Sequence, residues 1–152
     1  MTDDARSPQQ IAEGVRDGMF ANDRAAQHLG MVITAIAPGR AVIDMPVRDE
    51  MLNGFNICHG GYITTLADTA FAYACNSANW LTVASGLAID FVAPGRPGDV
   101  LTARAEEQHS AGRTGVYDIT VCNQRGELIA LMRGRSYRFK DKPAVPGTAP
   151  GR

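Results

Sequence analysis

"NGFNICHGGYITTLADTAFAYACNS", residues 53–77, decides how the rest of the chain is read. From about Gly60 to Ala78 its apolar residues have helical spacing. Ile63, Leu66, Ala67, Ala70, Phe71 and Ala74 form one stripe. At about 100° per residue, Asp68 lies roughly a third of a turn off that stripe. The positions three and four residues away are Thr64, Thr65, Phe71 and Ala72, so the carboxylate has no ion-pair partner on its own helix. Between Met51 and Gly95 the only other formally charged residue is Asp90. An unpaired charge is costly to bury. Asp68 must therefore be solvated, carry a raised pKa, or meet a group from elsewhere.

The side of the helix that carries Asp68 also carries Gly61, Thr64, Thr65, Ala72 and Cys75, all of them small. Such a face lets a second surface or a slender ligand come close. The plain reading is a solvated aspartate or one bonded to a nearby hydroxyl. The sharper reading is a catalytic base or nucleophile in a narrow groove, because perturbed acids gather at functional sites.

The start of the helix matters equally. "HGG", residues 59–61, leaves free N–H groups at the positive end of the helix, where anions and developing oxyanions bind. Glycine permits close backbone approach, although Gly60-Gly61 also serves as an ordinary tight turn. Oxyanion donors together with an acid that activates water suggest acyl transfer. Gly60 and Asp68 are about 12 Å apart along one helix axis, at 1.5 Å per residue. They do not easily serve one carbonyl carbon. A two-fold dimer solves this by setting the glycine end of one helix against the acid of its partner.

The flanking sequence supplies the wrapping. Gln10 to His28 has a helical pattern through Ile11, Val15, Met19 and Phe20, weakened by Gly14 and Gly18. Two strands follow in "LGMVITAIA" and "RAVIDMPV", separated by Pro38-Gly39; Pro46 predicts a strand end or an edge. After the long helix come "TVASGLAIDFVA", "DVLTARAEEQHS", "TGVYDITVCNQ" and "ELIALMRGRSYRF". Leu101, Ala103 and Ala105 alternate with Thr102, Arg104 and Glu106, the pattern of a sheet with one buried and one wet face. Short connections imply antiparallel pairing. The expected fold is α+β, a long helix wrapped by an antiparallel sheet. One domain over residues 9–140 is predicted, with a disordered N-terminus at 1–8 and a disordered tail at 141–152.

The bulk numbers exclude several classes of function. The 152 residues are 45% hydrophobic, enough for a real core, and 15 basic against 16 acidic residues give a formal charge of −1. That balance offers no footprint for nucleic acid. No apolar run is long enough to span a membrane, and "MTDDARSPQQ" is not a secretory leader. Cys58, Cys75 and Cys122 are an odd number without a C-x-x-C pair, which argues against disulfides and structural zinc and for a reducing cytoplasm. Cys58 beside His59 is not a nucleophile–base pair, since chain neighbours seldom point the same way.

The stretch resembles the hotdog-fold acyl-CoA thioesterases, and closely the phenylacetic-acid-degradation group. The likeness covers about Gln27 to Phe139 and is densest in "MLNG", "CHGGYITTLADTAFAYACNS", "VASGLAIDF" and "TGVYDI". It implies dimers, often paired into tetramers, and a site at the dimer interface that hydrolyses an acyl-CoA thioester. By that resemblance Asp68 holds the catalytic acid position and Gly60 the oxyanion donor, while His59 and Asn53 orient loop, substrate or water. Gly61, Thr65, Ser85 and Arg113 are its candidate substrate contacts, Ser85 through a water-orienting hydroxyl. Ala88 and Ala72 depart from the pattern, where relatives carry threonine or another hydroxyl, and bear on water positioning and substrate choice. Coenzyme A is part of the substrate, so no metal or cofactor is implied. Arg113, Arg133 and Arg135 are candidates for the phosphates, and Phe55, Tyr62 and Trp80 for pocket walls. His28, His109 and Asp90 are read as structural or surface residues. The expected reaction is hydrolysis of phenylacetyl-CoA or a hydroxylated form. A hydratase or dehydratase using His59 with Asp68, and a non-catalytic acyl-CoA sensor, are the rival readings.

Overall fold

A computed structural model describes residues 6–151. Its elements are α1 (Pro8–Phe20), α2 (Arg24–His28), β1 (Val32–Ala37), β2 (Arg40–Pro46), α3 (Gly60–Cys75), β3 (Trp80–Phe91), β4 (Val100–Ala111), β5 (Thr114–Cys122) and β6 (Leu128–Pro143). The six strands form one antiparallel sheet in the order β1-β2-β4-β5-β6-β3. Because β3 pairs with β6 rather than with its successor, the sheet curls around α3. This is the hotdog arrangement expected from the sequence.

Alternation decides which face meets the helix. Ala41, Ile43 and Met45 of β2, Leu101, Ala103 and Ala105 of β4, and Tyr117, Ile119 and Val121 of β5 are buried. They pack on Leu66, Ala67, Ala70, Phe71 and Ala74 of α3. Gly134 of β6 passes so close to Phe71 that a Cβ there would lie 2.8 Å from the ring. The outer face is charged. Arg40 pairs with Glu106 at 2.7 Å, and Arg133 grips Asp118 with two bonds of 2.7 and 2.8 Å. Asp90 is exposed and pairs across the ladder with Leu131 on this same outer face.

The structure departs from the sequence reading in four places. The single helix expected over Gln10–His28 is two, because Asp23 caps a new start by accepting from the Ala26 N–H at 3.0 Å. The long helix stops at Cys75 rather than Ala78, where Asn76 leaves helical geometry. Pro46 does end β2, but β2 is interior; the edges are β1 and β3. The fourth departure lies at the termini. Residues 1–5 of the expected disordered N-terminus fall outside the described residues, while Ser7 caps α1 in a reciprocal box with Gln10. The tail expected to be disordered from 141 continues β6 to Pro143. It then packs back on the turn after α3, where Asn79 and Trp80 hold its backbone. Its Pro and Gly content lowers helix and strand propensity, which does not prevent a segment from being pinned by side chains elsewhere.

Candidate active site

The loop before α3 is ordered by Asn53. Its Oδ1 accepts from the N–H groups of Phe55 and Ile57, at 2.9 and 3.4 Å, and its own N–H donates to Ile57 at 2.8 Å. Cys58 N–H donates to Gly95 and His59 N–H to Met51, so the entry to the helix is tied on both sides. Cys58 is buried, and desolvation pushes its thiol up to about 11, which is the behaviour of a structural thiol.

His59 caps α3. Its Nδ1 accepts from the Gly61 N–H at 2.9 Å, which leaves Nε2 as the nitrogen facing outward. The two glycine amides therefore differ. Gly61 N–H is engaged, whereas no group among the described residues accepts from Gly60 N–H. The ring of Phe91 lies over Gly60, 3.0 Å from where a Cβ would stand. Gly60 thus presents a free amide at the positive end of a 16-residue helix, with close packing that only glycine permits.

Two turns on, Asp68 is half-buried and has no hydrogen-bond or ion-pair partner among the described residues. Burial raises its pKa above the ordinary carboxylate value. It opens on a groove of about 290 Å³ whose walls include Phe71, Ala72, Asn76, Val83 and Ala84. The hydroxyls nearby are spent on the helix: Thr64 donates to Gly60 O, Thr65 to Gly61 O and Thr69 to Thr65 O, at 2.6–2.8 Å. Of the two plain readings, the hydroxyl partner for Asp68 is therefore not made among the described residues, and the carboxylate is half open to solvent. Cys75 stands one side of the same helix end, its thiol pushed up to about 12 by burial and, in lesser part, by the Asp68 charge.

The remaining candidates divide by place. Asn53, His59, Gly60 and Gly61 are gathered at the start of α3. Ser85 sits in β3 at a register break and donates to Arg135 O at 3.2 Å. Arg113 is not near the helix start. It lies at the β4–β5 hairpin, bonded to the Tyr137 hydroxyl at 3.2 Å, in a separate polar groove of about 380 Å³ shared with Arg138 and Trp80. Phe55 is exposed, and Tyr62 packs against the core. Arg133 is held by Asp118. Sequence reasoning missed Asn76 and Thr82, which lock the helix end to β3 through a reciprocal amide pair at 2.9 Å each way. It also missed Phe91 over Gly60. A polar residue straight after a long apolar run was the one signal for Asn76; pairing across the fold gave none for Phe91. Among the described residues, no three His, Cys, Asp or Glu side chains are placed to hold a metal ion. No described helix is long and apolar enough to cross a membrane.

Comparison with known proteins gives the family of the fold that carries these residues. A thioesterase superfamily model matches residues 55–130. The chain is 51% identical over 121 residues to acyl-coenzyme A thioesterase PaaI of Escherichia coli K12, covering 80% of this chain and 86% of that protein. The structure of the E. coli PaaI protein from the phenylacetic acid degradation operon superposes with a TM-score of 0.86 at 47% identity. The match covers 88% of this chain and 96% of that one. A protein of Streptococcus mutans solved bound to acetyl CoA matches with a TM-score of 0.71 at 26% identity, over 74% of this chain and 90% of that one.

Proposed function

The chain belongs to the thioesterase superfamily and is an acyl-CoA thioesterase within it; from that premise we propose that its substrate is an aryl-acyl-CoA, phenylacetyl-CoA or a hydroxylated form, cleaved at a site built by two copies of the chain. The observation that carries the reading is the pair of groups on α3 with no partner among the described residues, the Gly60 N–H and Asp68.

The reaction follows from those two groups. Asp68 takes a proton from water as the water oxygen attacks the thioester carbonyl carbon. The oxyanion that forms accepts from Gly60 N–H of the other subunit. The C–S bond then breaks, the carbonyl reforms, and the departing thiolate takes the proton from Asp68. The products are the free acid and coenzyme A, and no cofactor takes part. His59 holds the helix start and Asn53 the loop before it, so both set where the amide points. If Asp68 attacks directly instead, a mixed anhydride forms and water opens it. Single turnover in labelled water separates the two, because only direct attack leaves label in the Asp68 carboxylate.

The fold supports pairing. β3 is a 12-residue edge strand with a free ladder of backbone groups. Its helix-facing row includes Leu87 and Phe91, opposite the buried Gly134 and Ala130, yet Phe91 is 51% exposed and Leu87 37%. α3 meets the Phe91 ring at Gly60 yet leaves the row half-open, and a second copy of the chain, joined at β3 across a two-fold, covers it. Two such dimers pair into a tetramer. Arg113 and Arg138 in their shared groove suit the phosphates of coenzyme A. Three free cysteines fit a cytoplasmic enzyme.

Thiol release from a panel of acyl-CoA esters tests the activity, and silence towards aryl esters defeats the substrate assignment. The shared site has its own test. Asp68→Asn and Gly60→Pro variants that still fold are each nearly inactive, and co-refolded mixtures regain activity through mixed dimers holding one intact site. Mixtures that recover nothing remove the two-subunit site.

A further inference from the structure

The C-terminal segment after β6, residues 144–151, is a strap that gives the site an inner wall. We propose that Ala144 of the strap and Met19 of α1 form the floor of the Asp68 groove and set how large an acyl group it takes. This rests on hydrolysis at Asp68 and adds to it the part of the chain that measures the substrate.

The strap is built in, not draped. Asn79 is fully buried with φ +63, and nearly all its polar capacity goes to the strap. Its carbonyl accepts from Ala144 N–H at 3.1 Å and its Oδ1 from Val145 N–H at 2.8 Å. Its Nδ2 donates to Val145 O at 3.3 Å and Thr148 O at 3.0 Å. Further along, Trp80 Nε1 donates to Gly151 O at 3.0 Å, and Gly151 N–H donates to Ala78 O at 2.8 Å. Without the strap, a buried amide loses these partners.

The strap also braces α1. A Cβ on Gly18 would lie 2.6 Å from Val145 Cγ1, so the glycine in the last turn of α1 is the seat for Val145. Next to it, Met19 reaches the Asp68 groove, which Ala144 lines as well. Three elements distant in sequence (α1, the end of α3 with β3, and the strap) thus meet in the lining of one groove.

The chemistry of the groove narrows the acyl group. Besides Asp68, its polar side chains are Asn76 and Thr82. Asn76 is consumed by Ala72 O, Thr82 O and Thr82 N–H, and the Thr82 hydroxyl donates to Trp80 O. Among the described residues no free side-chain donor remains in the lining, so of the two proposed substrates the groove favours phenylacetyl over its hydroxylated form. The groove takes an apolar acyl group, bounded at its far end by a methionine thioether and an alanine methyl.

The test measures kcat/KM by thiol release for straight-chain esters from acetyl- to decanoyl-CoA and for benzoyl- and phenylacetyl-CoA, with the full chain. Met19→Ala opens the floor and moves the optimum to a longer or wider acyl group. The ratio of the longer ester to the wild-type optimum rises by roughly tenfold, at about fourfold per methylene newly buried. Ala144→Leu fills the floor and moves the optimum the opposite way. Circular dichroism and gel filtration confirm that both variants fold. Profiles that superimpose on the wild type in both variants overturn the proposal while hydrolysis stands. If the wild type releases no thiol from any ester, the hydrolysis reading falls. The floor is then decided by calorimetric affinities of non-hydrolysable acyl-CoA thioethers over the same chain lengths, with the same opposed shifts expected and coincident profiles overturning it.

Discussion

Two aspartates in this molecule meet burial in opposite ways. Asp99, at the turn before β4, is only 4% exposed. It accepts from Arg96 N–H and Gln124 Nε2, each at 2.9 Å, with Arg125 at 3.6 Å. Burial pushes its pKa up, but those bonds and charges outweigh it and leave the group below its ordinary value. Asp68 is less buried, has no partner among the described residues, and its pKa is raised. Partners decide the sign of the shift, and burial sets the stakes. An acid supplied with donors holds a turn together; an acid denied them keeps its basicity for a substrate.

The contrast breaks first at Asp68. Asp68→Asn is expected to lower kcat/KM by about 10³-fold, while leaving stability at pH 7 equal or higher, because a costly charge is gone. Thiol release and urea unfolding on the same preparation check both halves. A stability loss with full activity inverts the assignment.

Asp99→Ala should do the reverse. It removes a charged acceptor from the Arg96 N–H and Gln124 Nε2 at a turn whose other residues are exposed, at a cost of about 1–3 kcal/mol. Activity per folded molecule stays near wild type.

A pH series sharpens the pair. With its folded pKa lowered, Asp99 contributes stability that is present above the unfolded value near 3.8 and lost as pH falls through the folded one. With its folded pKa raised, Asp68 costs nothing below about 3.8. The cost grows as pH rises from there to the folded value, then stays constant. The stability difference between wild type and Asp68→Asn should therefore vanish in acid. The acid limb of kcat/KM should lie above the ordinary carboxylate range, since hydrolysis needs the ionised form.

The smallest effects are expected among the arginines. Arg113→Ala should raise KM for acyl-CoA severalfold, with a salt dependence that weakens in the variant. Arg133→Ala should change KM little, because Asp118 already holds that guanidinium. Equal responses would deny Arg113 a special part.

Much of the fold was open to reading because it depends on local patterns. The α3 stripe and the alternation of β2, β4 and β5 report which faces are buried, and Pro38-Gly39 and "PGRPG" mark turns. The isolation of Asp68 was also legible, since a helix brings only neighbours three and four residues away within reach. What escaped depends on long-range placement. Nothing local tells that the His59 ring takes the Gly61 amide and leaves that of Gly60, or that Phe91 covers Gly60. Nor does composition show that a Pro-, Gly- and Ala-rich tail is pinned by an asparagine more than sixty residues earlier.

By itself, then, the sequence determined the helix, the strands and the presence of one acid with no local partner, because periodicity and spacing are properties of neighbouring residues. Only the tertiary structure decided what faces that acid: which amide is free, which hydroxyls are spent, and which distant segments close the groove. Those outcomes turn on contacts between residues far apart in the chain, whose distances no local pattern records.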